Sequence, residues 1–359
     1  MTIDYRQAFS NLRQRRLGSN YNFVTEAYED SCNKRNNGTG LNALKYALGA
    51  IAEVDSKYTK KLLEDGERIQ ECLKKTISAD YEYQGSVPMN IHIRSNSDID
   101  LLVLNQEFIT FSLELSNSYP HAYQSSSLDP ILLMQALRTN CERVLETRYY
   151  GATVDKSGDK SIKISGGSFA RSVDVVPANW YHDMSNNMYN SQKQSVQIFN
   201  KTTKERLINK PFLFRDAVCT KNSDTNGRSN KMIRLLKNIK EDSSIKISKL
   251  SSYDIASLIW NMPSYNRLSD ILIPPTDLKI LVDLDKWFNS LEALDIMSFR
   301  TPDNTRYIFD DNNKIQDLNN LKRELSNLIG AIFKDIEPSL NINTSLENQR
   351  NRLLMEKLM

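Results

Sequence analysis

Residues 97–103 read SDIDLLV, and a single aliphatic residue separates Asp98 from Asp100. Aliphatic and β-branched residues surround the two acids, which predicts a strand over about Ser97 to Leu104. Side chains two residues apart in a strand point to the same face, about 6 to 7 Å from each other. The two carboxylates are therefore expected to converge on one spot while Ile99 packs behind them.

A third aspartate lies far downstream, in the stretch SVDVVP at residues 172–177. Alternation in this second predicted strand puts Asp174 on one face and its two valine neighbours on the other, so strand pairing can bring it beside the first two acids. Three crowded carboxylates repel one another unless cations neutralise them. Oxygen ligands that leave room for water and phosphate favour Mg²⁺ or Mn²⁺, and such ions promote in-line displacement at phosphorus. Asp98, Asp100 and Asp174 are thus predicted to be catalytic metal ligands for phosphoryl or nucleotidyl transfer.

The dipeptide Gly85-Ser86 precedes the first strand and supplies what that reaction also needs. A residue without Cβ lets backbone N–H groups approach a phosphate, and the serine hydroxyl adds a donor. Taken singly, Gly-Ser, Asp-x-Asp and an isolated aspartate are each typical of turns or of solvated surface. Their order, spacing and strand context together favour the catalytic interpretation.

The composition is that of a folded globular protein large enough for two lobes. The chain has 359 residues, 40% of them hydrophobic and 25% charged, and its net charge of +3 arises from 47 basic and 44 acidic side chains. That balance argues against a surface built wholly for nucleic acid. The chain has no secretion-like apolar start, no stretch of membrane-spanning length and only four scattered cysteines, so we expect a cytoplasmic protein that does not enter a membrane and binds its metal through oxygen.

The order of predicted elements indicates an α+β lobe followed by a helical one. Apolar residues at helical spacing over 41–77 predict one long helix or two in line, with Gly49 and Gly66 as places for a break. The polar stretch 182–210 reads as an exposed connection, with the lobe boundary near its end. Helices are further predicted at 128–149, 231–240, 253–261, 278–294 and 318–336, and strands at 161–165 and 172–176, the last closed by Pro177.

The motifs at 85–86, 97–103 and 172–177 resemble the pattern of the polymerase-β nucleotidyltransferase superfamily. The segment VDVVPA at 173–178 is similar in particular to the cGAS/DncV-like nucleotidyltransferases and their oligoadenylate-synthetase relatives. The resemblance implies a polymerase-β-like core at 1–210, with a mixed sheet and a long spine helix. It also implies a C-terminal helical lobe at 211–359, with the active site in the cleft between the two.

Residues in the helical part extend the resemblance. IRLLK at 233–237 followed by KLSSY at 249–253 is similar to the arrangement in cGAS, which implies that Lys237 and Ser252 hold the triphosphate and that Tyr253 stacks on a base. An ammonium suits phosphate as a point charge, and an aromatic face stacks on any base. The same basic residues are also typical of an amphipathic surface helix. Arg94 reads either as a phosphate contact or as an ion-pair partner of the aspartates.

The stretch TPDNTR at 301–306 is also similar to bacterial members of the family, with no role attached to it. The histidines and cysteines that build the zinc-binding insertion of animal cGAS are missing, so activation by DNA or RNA is not expected. The resemblance implies a bacterial synthase that joins nucleoside triphosphates, among them ATP and GTP, into a cyclic di- or trinucleotide with release of pyrophosphate. In this family such a product acts as a second messenger in anti-phage defence by activating a separate effector.

Two alternatives use the same residues. A template-independent enzyme that makes linear oligonucleotides or extends an RNA end needs the same three carboxylates, although a long RNA substrate favours a basic track that the near-neutral charge does not indicate. A degenerate nucleotidyltransferase could instead bind a nucleotide or a partner without catalysis, against which the complete set of three acids argues.

Overall fold

The computed structural model describes residues 3–17, 41–93, 98–123, 126–184, 195–264, 277–337 and 345–355. The chain forms two compact units. The first, called the sheet unit, comprises Asp55–His92 and Asn96–Ala217, and the second, called the helical unit, comprises Met1–Val54, Ile93–Ser95 and Val218–Met359.

The elements follow one another along the chain in an order that places all strands before residue 210. In the first half they are α1 (Tyr5–Leu17), α2 (Asn42–Ile51), α3 (Ser56–Lys74), β1 (Ala79–Gln84), β2 (Ile99–Phe111), α4 (Leu113–Ser118), α5 (Pro130–Arg148), β3 (Thr153–Asp155), β4 (Ile162–Ser165), β5 (Val173–His182), β6 (Ser195–Phe199) and β7 (Arg206–Asn209). In the second half they are α6 (Pro211–Asp224), α7 (Arg228–Asp242), α8 (Ser252–Asn261), α9 (Asp277–Ser290), α10 (Ala293–Ser298), α11 (Asn312–Ile336) and α12 (Leu346–Met355).

The seven strands of the described chain form one mixed sheet in the sheet unit, in the order β1-β2-β5-β4-β3, with β6 and β7 continuing from β5. The central pair, β2 and β5, is parallel, whereas β1 lies antiparallel to β2, and both β4 and β6 lie antiparallel to β5. This is the α+β architecture that the sequence predicts. None of the described helices is long and apolar enough to cross a membrane.

Strand β2 is apolar on both faces, as a central strand must be. Leu101 and Val103 belong to the core that packs against α3 and α5, whereas Leu102 and Leu104 belong to a second core on the opposite face. All four side chains are fully buried. Because side chains alternate along a strand, Asp100 lies on the face of Leu102, opposite α3 and α5.

The predicted helix at 41–77 is two helices, α2 and α3, and the break falls at 52–55 rather than at either glycine. The carboxylate of Asp55 accepts hydrogen bonds from the backbone N–H groups of Lys57 (2.8 Å) and Tyr58 (3.2 Å), an N-cap that starts a new helix. The two helices belong to different compact units. The predicted spine helix is therefore α3 alone.

Polar side chains hold α2 against the C-terminal helices of the helical unit. Asp335 on α11 accepts hydrogen bonds from the first N–H groups of α2, those of Ala43 (2.8 Å) and Leu44 (3.1 Å). At the other end of α2, Arg234 Nε donates to the carbonyl of Ile51 (2.9 Å), and Asn238 donates to that of Ala50 (3.1 Å). Both helix ends are thus satisfied by side chains from the C-terminal region. The predicted division at residue 210 lies near the observed one after Ala217, but α1 and α2 belong with the C-terminal helices.

Two further expectations differ from the structure. Strand β5 does not end at Pro177 but runs to His182, because one flank changes partner there: β4 pairs with it up to Val175, and β6 begins at Ala178. Proline is tolerated where a ladder is interrupted in this way. The predicted exposed connection contains the fully buried strand β6, and residues 185–194 of it lie outside the described range.

Gly66 on α3 offers a test of how tightly the spine helix packs on the sheet. A Cβ at this position would lie 2.9 Å from Tyr83 Cε1 and 3.0 Å from Ile99 Cγ2. We expect Gly66→Ala to lower the free energy of unfolding by about 1 to 2 kcal/mol, because overpacking outweighs the gain in helix propensity of about 1 kcal/mol. Chemical denaturation measures the change.

Gly330 on α11 is the matched control, because a Cβ there meets only the Gln349 side-chain oxygen, at 3.6 Å. Gly330→Ala is expected to stabilise the protein or leave it unchanged. Equal effects of the two substitutions would contradict the tight packing of α3.

Candidate active site

The three predicted carboxylates lie in the sheet unit, at the N-terminal ends of β2 and β5. In the parallel pairing of these strands, Asp100 and Asp174 are direct partners, and Asp98 stands immediately before β2. Parallel strands in register place equivalent residues side by side, so the acids lie together as the sequence predicts.

Two neighbours hold the outer carboxylate, Asp98. Ser172 donates a hydrogen bond to its Oδ1 (2.6 Å), and Lys163 Nζ lies 2.6 Å from its Oδ2. The same ammonium lies 3.7 Å from Asp174 Oδ2, because Lys163 on β4 is the cross-strand partner of Asp174. Opposite charges at directly paired positions attract one another, so Lys163 links two of the three acids.

The electrostatics of the cluster are those of carboxylates that need a cation. Burial, the charge of Asp174 and the charge of Asp98 raise the pKa of Asp100 from 3.8 to about 7, against the smaller opposing effect of Lys163. Burial also raises the pKa of Asp174, partly offset by Lys163. The hydrogen bond from Lys163 to Asp98 in turn raises the pKa of the lysine. Desolvation and like charge act in the same direction at Asp100, so ionising it is costly.

The donor set suits Mg²⁺ or Mn²⁺. Asp174 Oδ1 is buried with no hydrogen-bond partner within the described residues, and such an atom is costly unless a cation or a donor reaches it. As the side chains stand, no group of three or more His, Cys, Asp or Glu side chains in the described ranges is arranged to hold a metal ion. The ammonium of Lys163 lies against two of the candidate ligands, Asp98 and Asp174.

Position 85 must be a glycine because the carboxylate of Asp100 lies beside it. It follows β1, whose last residue, Gln84, pairs with Asp100, and its φ of +86° is one that residues with a Cβ rarely adopt. A Cβ on Gly85 would lie 2.3 Å from Asp100 Oδ2. The glycine therefore leaves the space in which the Asp100 carboxylate lies, a role beyond the phosphate approach that the sequence indicates.

Ser86 begins the turn that follows Gly85, and its carbonyl accepts a hydrogen bond from the backbone of Ile91 (3.1 Å). Behind this turn, His92 is buried, and its Nε2 lies 2.9 Å from Thr59 Oγ1 on α3. The turn that carries Ser86 is thus anchored to the spine helix. Arg94, the other candidate in this loop, lies outside the described residues.

The remaining predicted residues, Lys237, Ser252 and Tyr253, belong to the helical unit, and their place relative to the carboxylates stays a prediction. Lys237 is 6% exposed, and burial together with the charges of Lys240 and Arg234 lowers its pKa to about 8. Arg234 itself is 1% exposed. Of the two interpretations of these basic residues, that of a solvated surface-helix face is wrong at Lys237 and Arg234, because both side chains are buried.

Ser252 and Tyr253 open helix α8 behind a capping box. Ser251 Oγ accepts from the backbone N–H of Asp254 (3.0 Å), and the Asp254 carboxylate accepts from the N–H of Ser251 (2.9 Å). Ser252 is exposed at the first helical position, and Tyr253 is partly buried. The Ser-Tyr pair therefore stands on a rigid helix start.

Sequence reasoning missed the residues that position the acids. Lys163 was visible as a lone charge between Ile162 and Ile164, but only the strand register pairs it with Asp174. A buried carboxylate, Asp65 on α3, accepts from the backbone N–H of Ala170 (2.7 Å), and Arg68 donates to Ser168 Oγ (2.8 Å). These hydrogen bonds hold the segment that leads into β5, and no local sequence pattern predicts them.

The mixed sheet, the spine helix and the three carboxylates at adjoining strand ends define a nucleotidyltransferase with a polymerase-β-like core. Comparison with known proteins narrows this class. Residues 216–330 match the model of the cGAS/DncV-like nucleotidyltransferase C-terminal helical domain.

Similar proteins match over most of the chain. The cyclic dinucleotide synthase CdnE of Yersinia aleksiciae is 32% identical over 337 residues, which cover 92% of this chain and 87% of the relative. A c-di-GMP synthase of Capnocytophaga granulosa is 31% identical, with coverage of 86% and 92%. The solved structure of the CdnE c-di-GMP synthase from Capnocytophaga granulosa superposes with a TM-score of 0.71 at 29% identity, covering 90% of this chain and 97% of that one.

A further solved structure, the CdnE c-di-GMP synthase from Flavobacteriaceae sp., shares the fold with a TM-score of 0.77 at 22% identity, covering 92% of this chain and 98% of that one. The chain belongs to the cGAS/DncV-like nucleotidyltransferase family. It is a nucleotidyltransferase, as its sequence motifs predict.

The raised pKa of Asp100 has a measurable consequence for stability. The Asp100 carboxyl ionises less readily in the folded protein than in the unfolded chain. Its contribution to the free energy of unfolding is therefore most favourable below about pH 4 and declines as the pH rises toward 7. In the presence of a metal chelator, Asp100→Asn removes the cost of ionising this buried carboxyl. At pH 8 the free energy of unfolding of the variant should therefore exceed that of the wild type by on the order of a few kcal/mol. The difference should shrink toward pH 4, as measured by urea unfolding across that range.

Asp155→Asn provides the control, because this exposed carboxylate on β3 has a pKa lowered by hydrogen bonds from Ser157. Removing this carboxylate should slightly lower the free energy of unfolding above pH 4 and should not raise it. Parallel pH profiles for Asp100→Asn and the wild type would contradict a raised pKa at Asp100.

Gly85 and Gly166 form a matched pair for testing the space beside Asp100. Both have positive φ, +86° and +76°, but a Cβ at Gly166 meets no atom of the described residues within 4 Å. Each alanine substitution should cost about 1 to 2 kcal/mol of stability through backbone strain. Gly85→Ala alone should also lower the rate of nucleotide consumption, on the order of a hundredfold, because it displaces Asp100, one of the three carboxylates predicted to be catalytic. Equal activity of the two variants would show that the space is not needed.

Proposed function

We propose that the protein joins nucleoside triphosphates into a cyclic dinucleotide with release of pyrophosphate. The observation that carries the proposal is the in-register pairing of Asp100 with Asp174, with Asp98 beside them, in a chain that resembles cyclic dinucleotide synthases over most of its length. Three acids on adjoining strands suit a pair of divalent ions, and these ions supply charge neutralisation for in-line transfer at phosphorus.

The chain's own residues prepare the reacting groups. Asp98, Asp100 and Asp174 are the proposed ligands of Mg²⁺ or Mn²⁺, and Gly85 and Ser86 the proposed donors to the triphosphate. The hydroxyl oxygen of one nucleotide forms a bond to the α-phosphorus of another, and the bond from that phosphorus to the bridging oxygen of pyrophosphate breaks. The hydroxyl proton is lost to solvent, and a second transfer in the same molecule closes the ring. No nucleophilic side chain is required, because positioning and charge stabilisation supply the catalysis.

The helical unit contributes the proposed nucleotide contacts. Lys237 is buried with a lowered pKa, so an adjacent phosphate chain favours its charged form. Ser252 offers an exposed hydroxyl at the start of α8, and Tyr253 offers an aromatic face for a base.

Among the triphosphates, GTP is the first candidate. The Capnocytophaga granulosa relative, 31% identical over most of both chains, is a c-di-GMP synthase. By the same kinship the product acts as a messenger in the bacterial cytoplasm during anti-phage defence, where it binds a separate effector. We propose no membrane partner for the protein and no activation by DNA or RNA.

Incubation of the purified protein with each ribonucleoside triphosphate, and with all four together, tests the reaction directly. With Mg²⁺ or Mn²⁺ we expect pyrophosphate and a phosphatase-resistant cyclic dinucleotide, identified by mass spectrometry. Asp98→Asn and Asp174→Asn should each lower the rate at least about a hundredfold, since each removes a proposed metal ligand.

Asp155→Asn controls for the loss of an aspartate from the same sheet and should leave the rate unchanged. Linear products alone would instead favour an oligonucleotide-extending enzyme. Unchanged synthesis in Asp98→Asn would overturn the metal-ligand assignment.

A further inference from the structure

The stretch TPDNTR at 301–306 forms a tight loop whose ends are hydrogen-bonded to each other. The backbone N–H of Thr301 donates to the carbonyl of Arg306 (3.0 Å), and that of Asn304 donates to the carbonyl of Thr301 (2.8 Å). Asn304 has a φ of +58°, which a tight turn needs and asparagine tolerates. The loop is therefore preformed by its own backbone and does not depend on a ligand for its shape.

A buried carboxylate in this loop receives the hydroxyl of Tyr253. Tyr253 donates to Asp303 Oδ2 (2.6 Å), and Asp303 is 6% exposed. The other oxygen of Asp303 accepts from the hydroxyl (2.9 Å) and the backbone N–H (3.2 Å) of Thr305. Both carboxylate oxygens are thus committed, which fixes the point that the tyrosine hydroxyl must reach.

Arg306, at the end of the loop, holds the same tyrosine from a second direction. Its guanidinium donates to Asp254 Oδ1 (2.5 Å), and its central carbon lies 5.4 Å from the centre of the Tyr253 ring. Asp254 is also the residue of the α8 capping box, so Arg306 ties the loop to the helix start that carries Tyr253. The hydrogen bond to Asp303 sets the position of the Tyr253 hydroxyl, and the contact with Arg306 sets the position of one face of its ring.

We propose that Asp303 and Arg306, at two points of the loop at 301–306, are positioning residues for nucleotide binding that orient Tyr253 toward a base. The inference rests on the proposed role of Tyr253 in nucleotide binding. Neither residue needs to touch the nucleotide. Because the ring is already held in one orientation, a base that stacks on it does not have to immobilise it, and such preorganisation improves affinity.

Equilibrium binding measurements separate the base-stacking role of Tyr253 from the positioning role of Asp303 and Arg306. The probes are ATP and GTP analogues with a methylene bridge between the α- and β-phosphorus atoms, titrated with Mg²⁺ into the full-length protein in a calorimeter. Tyr253→Ala should weaken binding of the analogue at least about tenfold through loss of base stacking. Tyr253→Phe and Asp303→Ala should each weaken it about fivefold, because each breaks the same hydrogen bond.

The decisive result is the double variant. If the bond between Tyr253 and Asp303 orients the ring, the combination of Tyr253→Phe and Asp303→Ala binds no more weakly than either single variant. Asp303→Asn, which keeps an oxygen acceptor, should recover much of the affinity and serves as the second variant if Asp303→Ala does not fold. Arg306→Met should weaken binding as well.

Asn304→Gly is the matched control within the loop. Its side chain accepts a bond from Arg300 (3.0 Å), it has no contact with Tyr253 among the described bonds, and glycine fits its positive φ. Binding should be unchanged.

The alternatives give distinct results. If Tyr253→Ala weakens binding but Tyr253→Phe and Asp303→Ala do not, base stacking stands and the positioning role is overturned. If Tyr253→Ala has no effect, the nucleotide role of Tyr253 fails, and the positioning role fails with it. Synthesis of a cyclic product by the wild type is measured separately and stands apart from both results.

Discussion

The parallel pairing of β2 with β5 is the constraint on which the site depends. Its register makes Asp100 and Asp174 direct neighbours, and it places Asp98 beside them. A slip of one residue would turn each acid to the opposite face, into the core against α3 and α5. The apolar residues that follow the acids, buried on both faces of the sheet, make such a slip very costly. Packing of the sheet thus sets the geometry of the charges.

The crowding of those charges explains the features around them. The pKa of Asp100 is raised toward neutrality, Lys163 and Ser172 hold Asp98, and Gly85 leaves room for the Asp100 carboxylate. The raised pKa of Asp100 and the positive φ of Gly85 would be poor choices for stability alone, because buried like charges and positive φ both cost free energy. They are consistent with a site whose stabilising partner is a bound cation, and they are what a family of metal-dependent nucleotidyltransferases requires.

The helical unit uses buried polar contacts for a different purpose. Arg234 and Asn238 bind the carbonyl end of α2, while Asp335 binds its amide end, and in this way residues near the start of the chain join helices near its end. The loop at 301–306 ties the start of α8 in a similar manner, through Asp303 and Arg306. Arg234, which the sequence pattern places on a surface face of α7, is therefore structural, because its partner at Ile51 comes from a distant segment.

The three acids, the glycine-serine turn, the α+β class and the family can all be predicted from the sequence. These features are encoded locally, since alternation in a strand and the conformational freedom of glycine depend on adjacent residues. Four other features became visible only in three dimensions: Lys163 links Asp98 to Asp174, β5 continues through Pro177, residues 195–199 form a buried strand, and α2 belongs with the C-terminal helices. Each of these depends on strand register or on hydrogen bonds between residues far apart in the chain, and periodicity within one segment carries no information about its partner in space.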